Sequence, residues 1–343
     1  MERLDFKENY TPKGIVFVPT YNCTGMCPHC NIDFSRHNPD KRMNIKRAAE
    51  LLYEAKETGL NSIQFTGGEI TMYPEFMPAL IPHAKKLAIR VNKPPTNCYI
   101  GQSEKQSAHF FRELKSVNYT SGFRISLGPY HIKKIPLDRA VCFVVQYGKF
   151  FKFSSLTIGS SYYDRNEIMN IYGDFAKRLE RAGLKTEIRE KYFLINGQKV
   201  KYGIWKPTRP SWRKLSDREV ELKRLDKTMA CLGPRGVGYL WVEPDFKVRI
   251  CAGNGNGFLD YYLTGDLSKE SLGDVIRRAG RNEIFKILAN YGAAGLRQVL
   301  NYKEKILDEN KKYTFMCELC NEILGSEEYR DIVRNNYREI TGK

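Results

Sequence analysis

Short apolar segments alternate with amphipathic helical segments through the first two-thirds of this chain, and this alternation restricts the fold more than any other feature. The segment Asn44–Thr58 is a typical helix, since Ala48, Leu51, Leu52 and Ala55 share one face. Such alternation indicates a parallel, barrel-like sheet covered by helices, with six strands expected. The predicted strands are Gly14–Pro19, Ser62–Phe65, Ala88–Val91, Phe123–Leu127, Arg139–Gln146 and Leu156–Ile158.

The pattern changes after Gly183. Asn196-Gly197 between two extended segments predicts a hairpin, and Glu243-Pro244-Asp245 predicts another. The stretch Lys199–Lys214 holds six basic residues and no acidic one, and it could dock an acidic peptide or pack as a solvated hairpin. We therefore expect three regions: a barrel over 1–183, a basic bridging region over 184–229, and a small C-terminal domain with helices over 230–343.

The composition is that of an ordinary globular protein, with 42% hydrophobic and 28% charged residues among 343. No apolar run approaches the roughly 20 residues of a membrane span, and the N-terminus carries no secretory stretch. We therefore expect a cytoplasmic protein without a membrane partner. The net charge of +17 favours an acidic partner.

Seven of the nine cysteines fall into two groups, a pattern typical of metal ligands in a reducing compartment. Cys23, Cys27 and Cys30 form a C-x3-C-x2-C segment directly after the first predicted strand. Three thiolates can hold three irons of a [4Fe–4S] cube and leave the fourth iron open for a ligand. A zinc site with a distant fourth ligand is the alternative.

This segment resembles the cysteine motif of the radical S-adenosylmethionine (radical SAM) superfamily. The resemblance implies a partial (β/α)6 TIM-like barrel, a [4Fe–4S] cluster that binds SAM, and reductive cleavage of SAM to a 5′-deoxyadenosyl radical. It also implies that His29 contacts the adenine and that the turn Gly67-Gly68-Glu69 grips the SAM amine. Ser126 would contact the SAM carboxylate or ribose. Ile70 departs from the family, whose members often have proline there.

The second group consists of Cys231, Cys251, Cys317 and Cys320, which could form a closed site for zinc or for a fully ligated [4Fe–4S] cluster. The layout resembles the auxiliary-cluster (twitch/SPASM-like) domain of radical SAM peptide maturases in a short form. This resemblance implies one auxiliary [4Fe–4S] cluster that transfers electrons, with a structural zinc as the alternative.

Two thiols are left over. Cys98 ends the third predicted strand, where it could donate a hydrogen atom to a substrate radical or fill the core. Cys142 lies in an apolar run and is expected to be a core residue. Tyr130 and His131 could face the substrate, with His131 as an acid or base, or lie in a surface loop.

The resemblance is nearest to short radical SAM peptide epimerases, but these often carry a second cysteine where this chain has Ala252. We expect modification of a ribosomally made peptide, by epimerisation or oxidative bond formation, with a reducing partner such as flavodoxin or ferredoxin. We expect no leader-binding module before Gly14. The alternatives are an epimerase or dehydrogenase of a small molecule such as a sugar or aminoglycoside, and a zinc-containing nucleic-acid binder, although nucleic acid is not the expected partner.

Overall fold

The structure is a computed structural model, and it describes residues 11–30, 32, 38–161, 164–205, 222–225, 229–232, 237–251 and 260–342. Most of the basic stretch, from 206 to 214, lies outside the described residues, as does Ala252. Within the described ranges, no helix is both long enough and apolar enough to cross a membrane.

Parallel strands form the centre of the fold. The described strands are β1 Gly14–Phe17, β2 Ser62–Phe65, β3 Arg90–Val91, β4 Pro95–Thr96, β5 Arg124–Ser126, β6 Thr157–Ser161, β7 Thr186–Ile188, β8 Tyr192–Ile195, β9 Gln198–Trp205, β10 Tyr239–Val242, β11 Lys247–Arg249 and β12 Leu263–Asp266. In the first sheet the order is β12-β11-β10-β1-β2-β3, and in the second it is β4-β5-β6-β9-β8-β7.

Within the part of the chain that the structure describes, ten α-helices cover and extend these sheets. They are α1 Ile45–Glu57, α2 Phe76–Lys86, α3 Glu104–Ser116, α4 Pro129–Ile132, α5 Leu137–Gly148, α6 Arg165–Arg181, α7 Leu272–Arg281, α8 Glu283–Leu300, α9 Met316–Gly325 and α10 Glu327–Thr341. The buried face of α1 is the predicted one. The alternation of parallel strands with helices confirms the predicted fold class, a partial TIM-like barrel.

The parallel part of the second sheet ends with β9, which pairs in parallel with β6 and comes from the region predicted to be a bridge. The hairpin that leads into β9 turns at Asn196 and Gly197, as predicted, and both residues have positive φ. The sheet therefore continues past Gly183. On the other side, β10 pairs in parallel with β1 and also starts the predicted hairpin with β11.

The predicted strand at Arg139–Gln146 is wrong, because this segment lies within the helix α5. Five of its seven buried residues recur at helical spacing, namely Leu137, Ala140, Val141, Val144 and Tyr147. Apolar residues at the positions between them, such as Phe143 and Val145, concealed this period. Cys142 consequently lies on a helix and is half-buried rather than a strand residue of the core.

Candidate functional site

The first cysteine group lies on the loop that follows β1, at the carboxyl ends of the parallel strands. Backbone hydrogen bonds fix this loop to the turn after β2: Gly68 N–H donates to Thr20 O at 2.9 Å, and Glu69 N–H donates to Asn22 O at 2.7 Å. A Cβ on Gly68 would lie 2.2 Å from Asn22 O, so only glycine allows this approach. The Gly-Gly turn therefore positions the cysteine loop.

The sulfurs of Cys23 and Cys27 both lie beside Gly25, and the Cys30 thiol interacts electrostatically with each of them. A Cβ on Gly25 would lie 3.3 Å from the Cys27 sulfur and 3.5 Å from the Cys23 sulfur. Burial raises the pKa of Cys23 to about 11 and that of Cys27 to about 12, and nearby negative groups, including the thiol of Cys30, contribute to both. Without a positive ion these thiols keep their protons at neutral pH, and a bound metal would replace them.

N–H groups are already directed at two of these sulfurs. Gly25 N–H donates to Cys23 Sγ at 3.3 Å, and Ile32 N–H donates to Cys30 Sγ at 3.4 Å. The side-chain amide of Asn97, on the segment after β4, also donates to Cys23 Sγ at 3.5 Å. Such donors stabilise the thiolate form that iron–sulfur clusters require. The residues present therefore fit a cluster with three cysteine ligands.

Glu69 is 2% exposed, and its carboxylate accepts hydrogen bonds from the chain itself. One oxygen accepts from Thr71 N–H, Thr71 Oγ1 and Thr96 Oγ1, and the other accepts from Asn97 N–H at 2.7 Å. Burial raises the pKa of Glu69, and these donors oppose that shift. The predicted contact with SAM stays a prediction, whereas the structure gives this carboxylate a role in positioning Asn97.

His29 packs against the short helix α4. Its ring centroid lies 4.8 Å from that of Tyr130 and 5.3 Å from that of His131. The Cys27 thiol lies 3.6 Å from the backbone carbonyl of Tyr130. Burial lowers the pKa of His131 to about 4, so its ring is neutral at pH 7. Tyr130 and His131, for which the sequence allowed either a substrate contact or a place in a surface loop, therefore lie next to the cysteine loop.

The other predicted site residues of the barrel differ in their exposure. Ser126, at the end of β5, is half-buried, and Gly67 and Gly68 are partly exposed, so ligands could reach all three. Cys98 has no exposed surface and belongs to the hydrophobic core, where burial raises the pKa of its thiol well above the usual value. Its role as a hydrogen-atom donor stays a prediction.

The second cysteine group meets around one small, mostly apolar cavity. Cys231, Cys251, Cys317 and Cys320 all line it, together with Val237, Leu288, Ala293 and Met316. Cys317 and Cys320 lie one turn apart on α9. Burial raises the pKa of the Cys320 thiol, and the neighbouring thiols of Cys317 and Cys231 raise it further. All nine cysteines are free thiols, which leaves these four available to a metal group.

Two contacts, one near each cysteine group, were not foreseen from the sequence. The hydroxyl of Tyr262 lies 3.2 Å from Cys320 Sγ, and burial raises the pKa of that hydroxyl well above its usual value, so it keeps its proton. Near the first group, Tyr21 is hydrogen-bonded to Glu243, which pairs with Arg249 at 2.7 Å. These contacts join residues far apart in sequence, and local patterns carry no signal for them.

No three His, Cys, Asp or Glu side chains in the described ranges are arranged around the position of a single ion. The fit of the two sites to a metal group therefore depends on the convergence of their thiols and on the donors aimed at the sulfurs.

Comparison with known families finds similarity in the barrel region. Residues 17–131 match the family model of the Radical SAM superfamily, a range that contains the three cysteines, Glu69 and Ser126. The PqqA peptide cyclase of Streptomyces rochei is 28% identical over 138 residues. That alignment covers 38% of this chain and 37% of the relative, so it spans well under two-thirds of the relative's length.

Solved structures share the fold. A crystal structure of Streptococcus suis SuiB bound to the precursor peptide SuiA has a TM-score of 0.52 at 16% identity, and the match covers 90% of this chain and 76% of that one. Native anSMEcpe with bound AdoMet and the Cp18Cys peptide also has a TM-score of 0.52, at 12% identity, with 96% and 97% covered. At these identities the similarity concerns the fold alone.

Proposed function

We propose that this chain, whose residues 17–131 match the family model of the radical SAM superfamily, is a radical SAM enzyme that modifies a ribosomally synthesised peptide. The observation that carries the proposal is the meeting of Cys23, Cys27 and Cys30 at the carboxyl end of β1. When bound there, a [4Fe–4S] cluster and SAM would supply a 5′-deoxyadenosyl radical that abstracts a hydrogen atom from a substrate carbon.

The residues of the chain itself would hold and orient these groups. Cys23, Cys27 and Cys30 would hold the cluster, with the amide of Asn97 donating to the first sulfur. The partly exposed backbone of Gly67 and Gly68 would receive the SAM amine, and the Ser126 hydroxyl its carboxylate or ribose. The ring of His29, held against Tyr130 and His131, would contact the adenine.

The proposal of a peptide substrate is supported by the names of similar proteins, which include a peptide cyclase and two enzymes bound to peptides. The net charge of +17 also suits an acidic peptide. The buried position of Cys98 favours oxidative bond formation over epimerisation, because epimerisation needs a thiol that reaches the substrate radical from the opposite face.

Oxidative bond formation removes two hydrogen atoms from the peptide. One leaves as a hydrogen atom, and the other leaves as a proton and an electron. We propose that Cys231, Cys251, Cys317 and Cys320 hold an auxiliary [4Fe–4S] cluster, whose chemistry there would be to accept that electron. The electron that cleaves SAM would come from a reducing partner such as flavodoxin or ferredoxin.

Anaerobic reconstitution tests the cofactors. The wild-type chain should hold about eight irons and release 5′-deoxyadenosine from SAM under dithionite. Replacing Cys23, Cys27 and Cys30 by alanine should halve the iron and abolish 5′-deoxyadenosine. Replacing Cys317 and Cys320 should halve the iron but leave SAM cleavage measurable. A colourless zinc protein that leaves SAM intact would overturn the proposal and favour the zinc-containing binding protein.

Mass spectrometry tests the reaction. A short candidate peptide encoded beside this gene is incubated with the reconstituted enzyme and SAM in D2O. Loss of two hydrogen atoms without deuterium incorporation indicates bond formation. Replacement of one α-hydrogen by deuterium, with no net loss of hydrogen, indicates epimerisation. This result would overturn our preference for oxidation. In that case Cys98→Ala should still form 5′-deoxyadenosine but lose the epimerised product, if Cys98 is the donor.

A further inference from the structure

Tyr262 connects two of the four cysteines around the C-terminal cavity. It is fully buried directly before β12. Its backbone carbonyl accepts a hydrogen bond at 3.0 Å from the N–H of Ile250, the neighbour of Cys251. Its hydroxyl lies 3.2 Å from the sulfur of Cys320. One residue thus fixes the strand that precedes one cysteine and contacts the sulfur of another.

When a metal group is bound to the four cysteines, chemistry decides which of Tyr262 and Cys320 donates the hydrogen bond. A cysteine that ligates a metal has lost its proton, so its sulfur can only accept. The tyrosine hydroxyl must then donate. A hydrogen bond to a ligand sulfur stabilises the more negative, reduced state of a cluster more than the oxidised state, because the donor offsets the added charge. Such a donor therefore raises the reduction potential.

We propose that Tyr262 is a positioning residue of the second cysteine site, which donates its O–H to the Cys320 sulfur and raises the reduction potential of the auxiliary cluster. This inference rests on the proposed function, since it requires the cluster at that site. It makes the site a better electron acceptor, which is the role that oxidation of a peptide demands.

The neighbouring tyrosine supplies a matched control. Tyr261 precedes Tyr262 in the chain, but its hydroxyl donates to Asn282 Oδ1 at 3.0 Å instead of to a sulfur. The substitutions Tyr262→Phe and Tyr261→Phe each remove one hydroxyl from adjacent positions. Only the first removes the proposed donor to the cluster.

The experiment measures the potential of the auxiliary cluster alone. Both substitutions are made in the full chain with Cys23, Cys27 and Cys30 replaced by alanine, and the protein is reconstituted and titrated under EPR. Tyr262→Phe should retain its iron but lower the equilibrium constant for reduction about tenfold, which is about 59 mV for one electron. Tyr261→Phe should leave the potential unchanged. An unchanged potential in Tyr262→Phe at full iron content overturns the inference.

A second measurement covers the case in which Tyr262→Phe fails to fold or to bind iron. The parent protein is prepared with ring-deuterated tyrosine, and pulsed EPR of the reduced cluster should detect coupled deuterons. Their absence overturns the inference. If instead the parent protein binds no iron at the C-terminal site, the auxiliary cluster of the proposed function is wrong, so the two failures are distinguishable.

Discussion

At the scale of single residues, Glu69 shows how one buried carboxylate can order the surroundings of the first cysteine group. It accepts hydrogen bonds from the turn after β2 and from the segment after β4. Through Asn97 it reaches the sulfur of Cys23. Two strand ends and the cysteine loop are therefore held in register by one side chain.

Substituting Glu69 by Gln tests this role. The amide nitrogen of Gln would face an N–H or O–H donor, which leaves buried donors unsatisfied and costs about 1–3 kcal/mol of unfolding free energy. Urea unfolding of the apo protein measures this loss, and iron content after reconstitution should also fall. Glu75→Gln is the control, because the Glu75 side chain is about half exposed and pairs with the equally exposed Arg42 at 3.5 Å. Equal stability of the two variants would contradict the assignment.

At the scale of elements, a kink in α8 lets the chain approach the C-terminal cavity. Gly292 has a φ of +63° inside this helix, and a Cβ there would lie 2.3 Å from the carbonyl oxygen of Met229. The same approach allows Met229 N–H to donate to Tyr291 O and Cys231 N–H to donate to Leu288 O. The kink therefore positions the first cysteine of the second group.

We expect Gly292→Ala to destabilise the protein by roughly 1–3 kcal/mol, because alanine is strained at this φ and its Cβ would displace Met229. Iron at the C-terminal site should fall with it. Gly173→Ala, in the middle of α6, is the matched control, since its Cβ meets nothing within 4 Å. That variant should gain about 0.5–1 kcal/mol. Thermal unfolding and iron analysis distinguish the two, and a Gly292→Ala protein that keeps both properties would disprove the role of the kink.

The elements also show what the sequence could predict. The buried face of α1 and the Asn196-Gly197 turn depend on local periodicity and turn chemistry, and both were predicted. The helix α5 was missed because apolar residues also fill the positions between its buried ones. The membership of β9 in the barrel was missed because pairing with β6 depends on tertiary contacts.

The candidate site also has a part that the sequence could predict and a part that it could not. The spacing of the cysteines pointed to both groups, because close ligands on one loop or one helix leave a local pattern. The surroundings of the sulfurs did not follow from spacing. Asn97, Tyr262 and Tyr21 reach their partners across long stretches of chain, and the side-chain positions that bring them together exist only in the folded molecule.

At the scale of the whole molecule, the C-terminal region is built into the barrel through β10, which pairs with β1. Directly after β10, Glu243 pairs with Arg249, and their side chains are 9% and 13% exposed. Burial raises the pKa of the Tyr21 hydroxyl, and Glu243, which accepts a hydrogen bond from this hydroxyl, raises it further. Tyr21 precedes Cys23 by two residues, and Arg249 precedes Cys251 by two, so this contact links the two cysteine groups.

Glu243→Gln should therefore cost about 3 kcal/mol, because it leaves the Arg249 guanidinium buried without its countercharge. It should also lower iron binding at both cysteine groups. Asp245→Asn in the same turn is the control, since its ion pairs with Lys41 and Lys247 lie nearer the surface and contribute about 0–1 kcal/mol. Unfolding in urea at neutral pH compares them, and a loss of iron at one group alone would contradict the proposed link.

The pairing of β1 with β10 has a consequence for the folding of the chain during its synthesis on the ribosome. Chains fold from the N-terminus as they emerge, and β1 finds β2 early. Its other edge has no neighbour until Tyr239–Val242 has been translated. For most of its synthesis the nascent chain therefore has an open strand edge at β1, next to the cysteine loop. Edge-to-edge aggregation is a hazard of this incomplete chain, and pairing with β10 removes it.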